Sequence, residues 1–143
     1  MVKHLYIHVP FCHRICPYCS FYKHTFGDIN QSELVESLLK ELHHRKNEYD
    51  FDIETVYLGG GTPSALSYKN LERLLSGISE IVITNDLKEW GIEVNPSTFN
   101  YNKASMIKRQ GVSRVSLGIQ SWNQSTLKTL GRDHSPRDAK KSF

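Results

Sequence analysis

The feature that most restricts the fold is an alternation, along the whole chain, between stretches of two-residue apolar period and stretches of helical period. Residues 2 to 9 place Leu5, Ile7 and Val9 on one face and His4, Tyr6 and His8 on the other, as a strand with two different environments requires. Residues 31 to 46 carry Leu34, Val35, Leu38, Leu39 and Leu42 at helical spacing, with Asn30 and Glu33 set as an N-terminal capping pair. The pattern then repeats. A strand is predicted near 53 to 58, a helix near 67 to 80 on Leu71, Leu74, Leu75 and Ile78, and a strand at 90 to 94. A short helix near 102 to 110, a strand at 114 to 120, a helix from Asn123 and another opening at Ser135-Pro136 complete the chain.

Alternation of this kind predicts an α/β protein with a parallel sheet. A closed eight-fold barrel needs roughly 250 residues, so one expectation is a partial (β/α) barrel truncated after about four units. A small open doubly wound sheet has the same alternation and the same ligand location, at the carboxyl ends of the strands. No internal repeat, low-complexity tract or linker divides the chain. Residues 1–143 therefore read as the N-terminal part of one incomplete domain, with no second domain.

Composition excludes several classes. With 38% hydrophobic and 23% charged residues there is no apolar run long enough to span a bilayer, and the start, MVKHLYIHVPFC, lacks the apolar core of a secretory signal. The expectation is a cytoplasmic protein without an integral membrane segment. The net charge of +3 is mild, and the basic clusters His43-His44-Arg45-Lys46, Lys108-Arg109 and Lys140-Lys141 are scattered without interleaved aromatics. They read as solvated surface, so no nucleic-acid partner is expected.

All three cysteines fall in Cys12-His-Arg-Ile-Cys16-Pro-Tyr-Cys19, directly after the first strand. Buried or surface thiols in a reducing compartment would not be confined to these intervals, so metal binding is the stronger reading. One candidate is structural zinc, with His8, His13 or His24 as a fourth ligand, although such sites usually pair Cys-x-x-Cys with a second, distant pair that this chain lacks. The other is an iron–sulfur cubane, which usually takes four thiolates; three would leave one iron open.

Further residues collect at the predicted strand ends. Gly59-Gly60-Gly61-Thr62-Pro63 follows the second strand, either as a tight turn or as a place where backbone amides approach a ligand. Glu93 alternates with Ile92 and Val94, and is either a lumen-facing carboxylate or an exposed strand-end acid. Val115, Leu117 and Ile119 share one face while Ser116, Gly118 and Gln120 share the other, a polar stripe suited to a cavity wall or to an edge strand. Arg132, in Leu130-Gly-Arg-Asp-His134, is either solvated or paired with a carboxylate or phosphate.

The C-x3-C-x2-C spacing with an aromatic residue before the last cysteine resembles the signature of the radical S-adenosylmethionine (SAM) superfamily. Tyr6-Ile-His-Val-Pro-Phe-Cys12, the glycine run, Glu93-Val-Asn-Pro96, Ser116-Leu-Gly-Ile-Gln120-Ser-Trp and Leu130-Gly-Arg132-Asp-His134 stand in the order of the oxygen-independent coproporphyrinogen III oxidase group, including its heme chaperone (HemW) branch. The resemblance covers nearly the whole chain. It implies a partial radical SAM barrel, a [4Fe-4S] cluster on Cys12, Cys16 and Cys19, and SAM chelated at the open iron. It further implies that Tyr6, Gly60 and Glu93 contact that SAM, and that Tyr18, Gly61, Thr62, Gln120 and Arg132 match positions lining a second SAM site in the oxidase.

One departure bears on function. The oxidase has a further cysteine two positions after the last ligand, where this chain has Cys19-Ser20-Phe21. The absence favours the HemW-like branch, which implies heme binding and transfer to an acceptor protein, over oxidative decarboxylation in porphyrin biosynthesis. Implied partners are heme or porphyrin, an electron donor such as a flavodoxin or ferredoxin, and the acceptor protein. Family members continue through further barrel strands and a C-terminal domain, so the expectation for these 143 residues alone is weak cluster binding and no catalysis.

Overall fold

A computed structural model describes residues 1–27, 29–82 and 87–142. Strand β1 (Val2–Val9) leads into a two-residue strand β2 (Phe11–Cys12), which pairs in parallel with β3 (His24–Thr25). Helix α1 (Gln31–Glu48), strand β4 (Phe51–Gly60), a 3-10 turn (Pro63–Ala65) and helix α2 (Tyr68–Val82) follow. Then come β5 (Glu89–Val94), α3 (Tyr101–Arg109), β6 (Arg114–Leu117), α4 (Gln124–Thr129) and α5 (Pro136–Lys141).

The helix starts are written in side chains. Asn30 accepts from the Ser32 and Glu33 amides and donates its amide to Glu33 Oε1 at 3.0 Å, the capping pair expected from the sequence. Asn123 caps α4, and Ser135 with Asp138 closes a reciprocal capping box ahead of Pro136.

Four strands form one parallel sheet in the order β1-β4-β5-β6. Each new strand is laid on the same side of its predecessor, so the order never reverses. A doubly wound sheet needs such a reversal to place helices on both faces. Here α1, α2 and α3 share one core with one face of the sheet: Val35, Leu39, Leu71, Leu74, Ile78, Met106 and Ile107 meet Ile7, Val9, Val56, Leu58, Trp90, Ile92 and Val94. The architecture is therefore that of a partial barrel.

Strand register lines up the opposite face: Tyr6 beside Tyr57 and Gly91, His8 beside Gly59, and Glu93 beside Ser116. Buried parallel strands are normally apolar on both sides. This polar face, opposite the one on which α1, α2 and α3 pack, is where a lumen would lie.

Two sequence expectations change. The last strand ends at Leu117 and does not run to 120, because the Ile119 amide bonds the Leu117 carbonyl and Gln120 takes φ +64°. That conformation breaks the two-residue alternation. The β2–β3 ribbon is additional.

Candidate functional site

The cysteine loop is an excursion closed at its base. Phe11 and Cys12 pair with His24 and Thr25, the His24 amide bonds the Pro10 carbonyl at 2.7 Å, and Phe11 stacks on Phe26 at 5.1 Å. Within the loop the Cys19 amide bonds the Cys16 carbonyl, and the Lys23 ammonium reaches the Cys19 carbonyl at 2.5 Å and the Phe21 carbonyl at 3.0 Å. All three cysteines are free thiols, with Cys12 buried and the other two half-buried.

The glycine run holds this loop from below. Gly61 donates to the Val9 carbonyl at 2.9 Å and Thr62 to the Phe11 carbonyl at 2.8 Å. These amides are committed to protein, so their role is to seat β2 on the end of β4. A Cβ at Gly61 would stand 2.7 Å from Phe11 backbone atoms, which is why the position has no side chain. The Thr62 hydroxyl, itself buried, points at Cys12 Sγ from 3.5 Å.

Burial pushes the Cys12 thiol up from its ordinary pKa, opposed by the Thr62 hydrogen bond and reinforced by the nearness of Cys19 and Cys16. A thiolate there is unfavourable without a compensating positive charge. Among the described residues, no three His, Cys, Asp or Glu side chains stand close enough to hold a single metal ion. The histidines considered as fourth ligands have other partners. His8 Nε2 donates to the Tyr22 carbonyl at 2.9 Å while its Nδ1 accepts from the Tyr6 hydroxyl at 3.0 Å, a tautomer assigned from those two bonds. His13 bonds the Ala65 carbonyl at 3.3 Å, and His24 packs edge-on against Tyr22.

Beside the loop, at the carboxyl ends of the strands, lies a cavity of about 240 Å³. Tyr18, Cys19 and Phe21 form one wall, Gly60, Gly61 and Thr62 a second, and Glu93, Val94 and Asn95 a third. Ser116, Gly118, Gln120 and Arg132 complete it. Gln120 enters through its left-handed turn and not through strand alternation. Seven of the eight predicted contact residues therefore line one space. Tyr6 is off this wall: it lies on the same sheet face, stacked on Tyr57 at 6.3 Å, and lines a separate groove between β1 and α1.

Glu93 is half-buried and accepts from the Tyr57 hydroxyl at 2.9 Å. Burial and this carboxylate both push the Tyr57 phenol up. Tyr57 escaped the sequence reading, although its alternation with Val56 and Leu58 is the signal that singled out Glu93. Lys103 also escaped it. Its ammonium is held by the carbonyls of Ser64, Leu66 and Thr98 at 2.6, 2.8 and 3.1 Å, pinning the turn beyond the glycine run. No local pattern announces such a tertiary bond.

Comparisons with known proteins agree on one family. The model of the Radical SAM superfamily matches residues 6–143. The chain is 36% identical over 143 residues to the heme chaperone HemW of Escherichia coli (strain K12), covering 96% of this chain and 37% of that protein. It is 34% identical over 144 residues to the heme chaperone HemW of Bacillus subtilis (strain 168), covering 99% and 38%. The chain thus spans little more than a third of the curated relatives it matches. Among solved structures it superposes on coproporphyrinogen III oxidase (HemN) from Escherichia coli, a radical SAM enzyme, with a TM-score of 0.81 and 24% identity over 95% of this chain and 32% of that one. No helix among the described residues is long and apolar enough to cross a membrane.

Proposed function

Because the chain belongs to the radical SAM superfamily, we propose that it holds a [4Fe-4S] cluster on Cys12, Cys16 and Cys19, binds SAM in the adjoining cavity, and serves in heme binding and transfer as the HemW chaperones do. One observation carries the reading: Cys19 of the cysteine loop, the glycine run, Glu93 and Gln120 at or just beyond the ends of successive strands, and Arg132 in the turn after α4 border a single cavity.

The donor set fits the cluster. Three thiols sit on one anchored loop, a hydroxyl donates to one sulfur and a guanidinium to another, and no fourth thiol competes for the remaining iron. When bound, the cluster on Cys12, Cys16 and Cys19 would supply one electron to SAM held in the adjoining cavity. The chain's own residues do the rest by position. Tyr57 orients the Glu93 carboxylate as an acceptor at the cavity wall, and Tyr6 and Gly60 flank it on the same sheet end. Tyr18, Gly61, Thr62, Gln120 and Arg132 form the part of the wall proposed for a second SAM.

The heme-transfer reading is preferred to decarboxylation because the sequence relatives above are named heme chaperones, whereas the likeness to the oxidase extends to the fold. Ser20-Phe21, in place of a further cysteine, points the same way. On this reading the partners are heme, a flavodoxin- or ferredoxin-type electron donor and a heme-acceptor protein, and the compartment is the cytoplasm.

Anaerobic reconstitution with iron and sulfide, followed by electron paramagnetic resonance (EPR) of the reduced chain with and without SAM, tests the core of this proposal. The expected result is a cubane signal that SAM perturbs. Uptake of one tetrahedral zinc with refusal of iron and sulfide would overturn it. On a full-length form, a heme titration beside an assay of coproporphyrinogen consumption separates the two activities, and consumption without heme binding would select the oxidase.

A further inference from the structure

The cysteine loop is gripped by a turn 116 residues downstream of Cys16. Arg132 Nη1 donates to Cys16 Sγ at 3.4 Å, and its Nη2 donates to the Gly118 carbonyl at 2.7 Å. The backbone that delivers it is fixed. The Arg132 amide bonds the Leu127 carbonyl at 2.9 Å, and Gly131 takes φ +67° with Pro17 Cδ 2.9 Å from where its Cβ would stand. That residue must be glycine for the turn to lie on the loop between Cys16 and Cys19.

Tyr18 lines the same cavity as Arg132. Arg132 Nε is buried and has no partner among the described residues. A guanidinium so held is poorly compensated by a neutral thiol and a carbonyl, and well compensated by a sulfur that carries charge.

On the cluster reading above, we infer that Arg132 is a positioning and tuning residue: by donating to the Cys16 sulfur it raises the reduction potential of the cluster. Reduction places one more electron on a centre whose charge extends onto the cysteine sulfurs. A fixed cation with an N–H aimed at one of those sulfurs stabilises the reduced form more than the oxidised form. The electron comes from a one-electron low-potential reductant, and no bond in the protein forms or breaks. This role differs from the SAM contact suggested for Arg132 by family resemblance, because its primary target is a ligand of the metal centre.

The test is a mediated dithionite titration, read by EPR, of the reconstituted whole chain and of Arg132→Lys, Arg132→Gln and Arg132→Met, with iron and sulfide counted per chain. The reduced-to-oxidised ratio at fixed poise should fall about tenfold in the neutral variants, a shift of about 59 mV for one electron, and less in Arg132→Lys, which keeps the charge without the fork. Neutral variants that load the cluster and titrate with the wild type overturn the inference. Should they not load, Arg132→Lys and Gly131→Ala decide: a lowered potential supports the role, an unshifted one overturns it, and loading by neither sinks it as well, since Arg132 is then needed for assembly and not for poise. A wild-type chain that refuses iron and sulfide overturns the cluster reading and this inference with it, whereas loaded but unshifted variants overturn this inference alone.

Discussion

At Gly61 the neighbour that a side chain would meet is the Phe11 backbone, which moves only if β2 lifts off β4. Gly61→Ala should therefore cost about 1–3 kcal/mol, as overpacking does, and cut iron uptake on reconstitution. Thermal unfolding and iron content read the two effects, and a variant as stable as the wild type would show that the loop has room. His134 offers a pH test. It is 2% exposed, donates through Nε2 to the Ile119 carbonyl at 3.0 Å, and leaves Nδ1 buried without a partner among the described residues. Burial first, and the Arg132 charge second, hold its pKa below the ordinary 6.5. Between those two values the unfolded chain binds more protons than the native one, so stability should fall as pH drops below about 6.5. His134→Gln keeps a donor that does not titrate and should flatten urea midpoints measured between about pH 7.5 and 5. Single residues were legible where alternation exposed them, as at Glu93. They were not where the partner lies far along the chain, as for Lys103 on Ser64 or Arg132 on Cys16.

Among elements, the long strands and helices could be read because each carries several turns or alternations of one period. The β2–β3 ribbon could not: two residues hold no period, and it exists because Thr62 and Phe26 hold Phe11 in place while Gly61 ties down Val9 just before it. The end of β6 was misplaced for a related reason, since Ile119 and Gln120 continue the apolar–polar pattern while the backbone has already turned. At their amino ends β1, β4 and β5 are joined by charge. Lys3 bonds Glu54 Oε1 at 2.5 Å and Lys88 bonds Glu54 Oε2, and these two hydrogen bonds hold the carboxyl down to about 2 from 4.5. A depressed carboxyl stabilises the fold above its ordinary range and loses that contribution as pH falls. The acid limb of stability should steepen between 4.5 and about 2, and Glu54→Gln should remove that steepening in circular-dichroism melts. An identical limb in the variant would mean that the strands do not depend on this junction.

Over the whole molecule, parallel pairing followed from alternation alone, and the place of the candidate site at the strand ends from alternation together with the position of the cysteines. The choice between barrel segment and doubly wound sheet did not, because it depends on which side each strand adds, a property no local window contains. The strand order also leaves β6 paired on one side only among the described residues, with Val115 43% exposed beside an apolar groove that includes Phe99, Ile107 and Leu117. Unprotected edges associate. Sedimentation velocity should show concentration-dependent self-association that Val115→Lys suppresses, and equal behaviour of the two chains would argue that the edge is inert. The same order fixes when the site is made. Synthesis delivers the sulfur donors before the Arg132 turn, so a nascent chain still short of that turn presents three thiols with their clamp unbuilt. Iron delivered then would meet a half-made cradle, and loading belongs to the interval after that turn has been made.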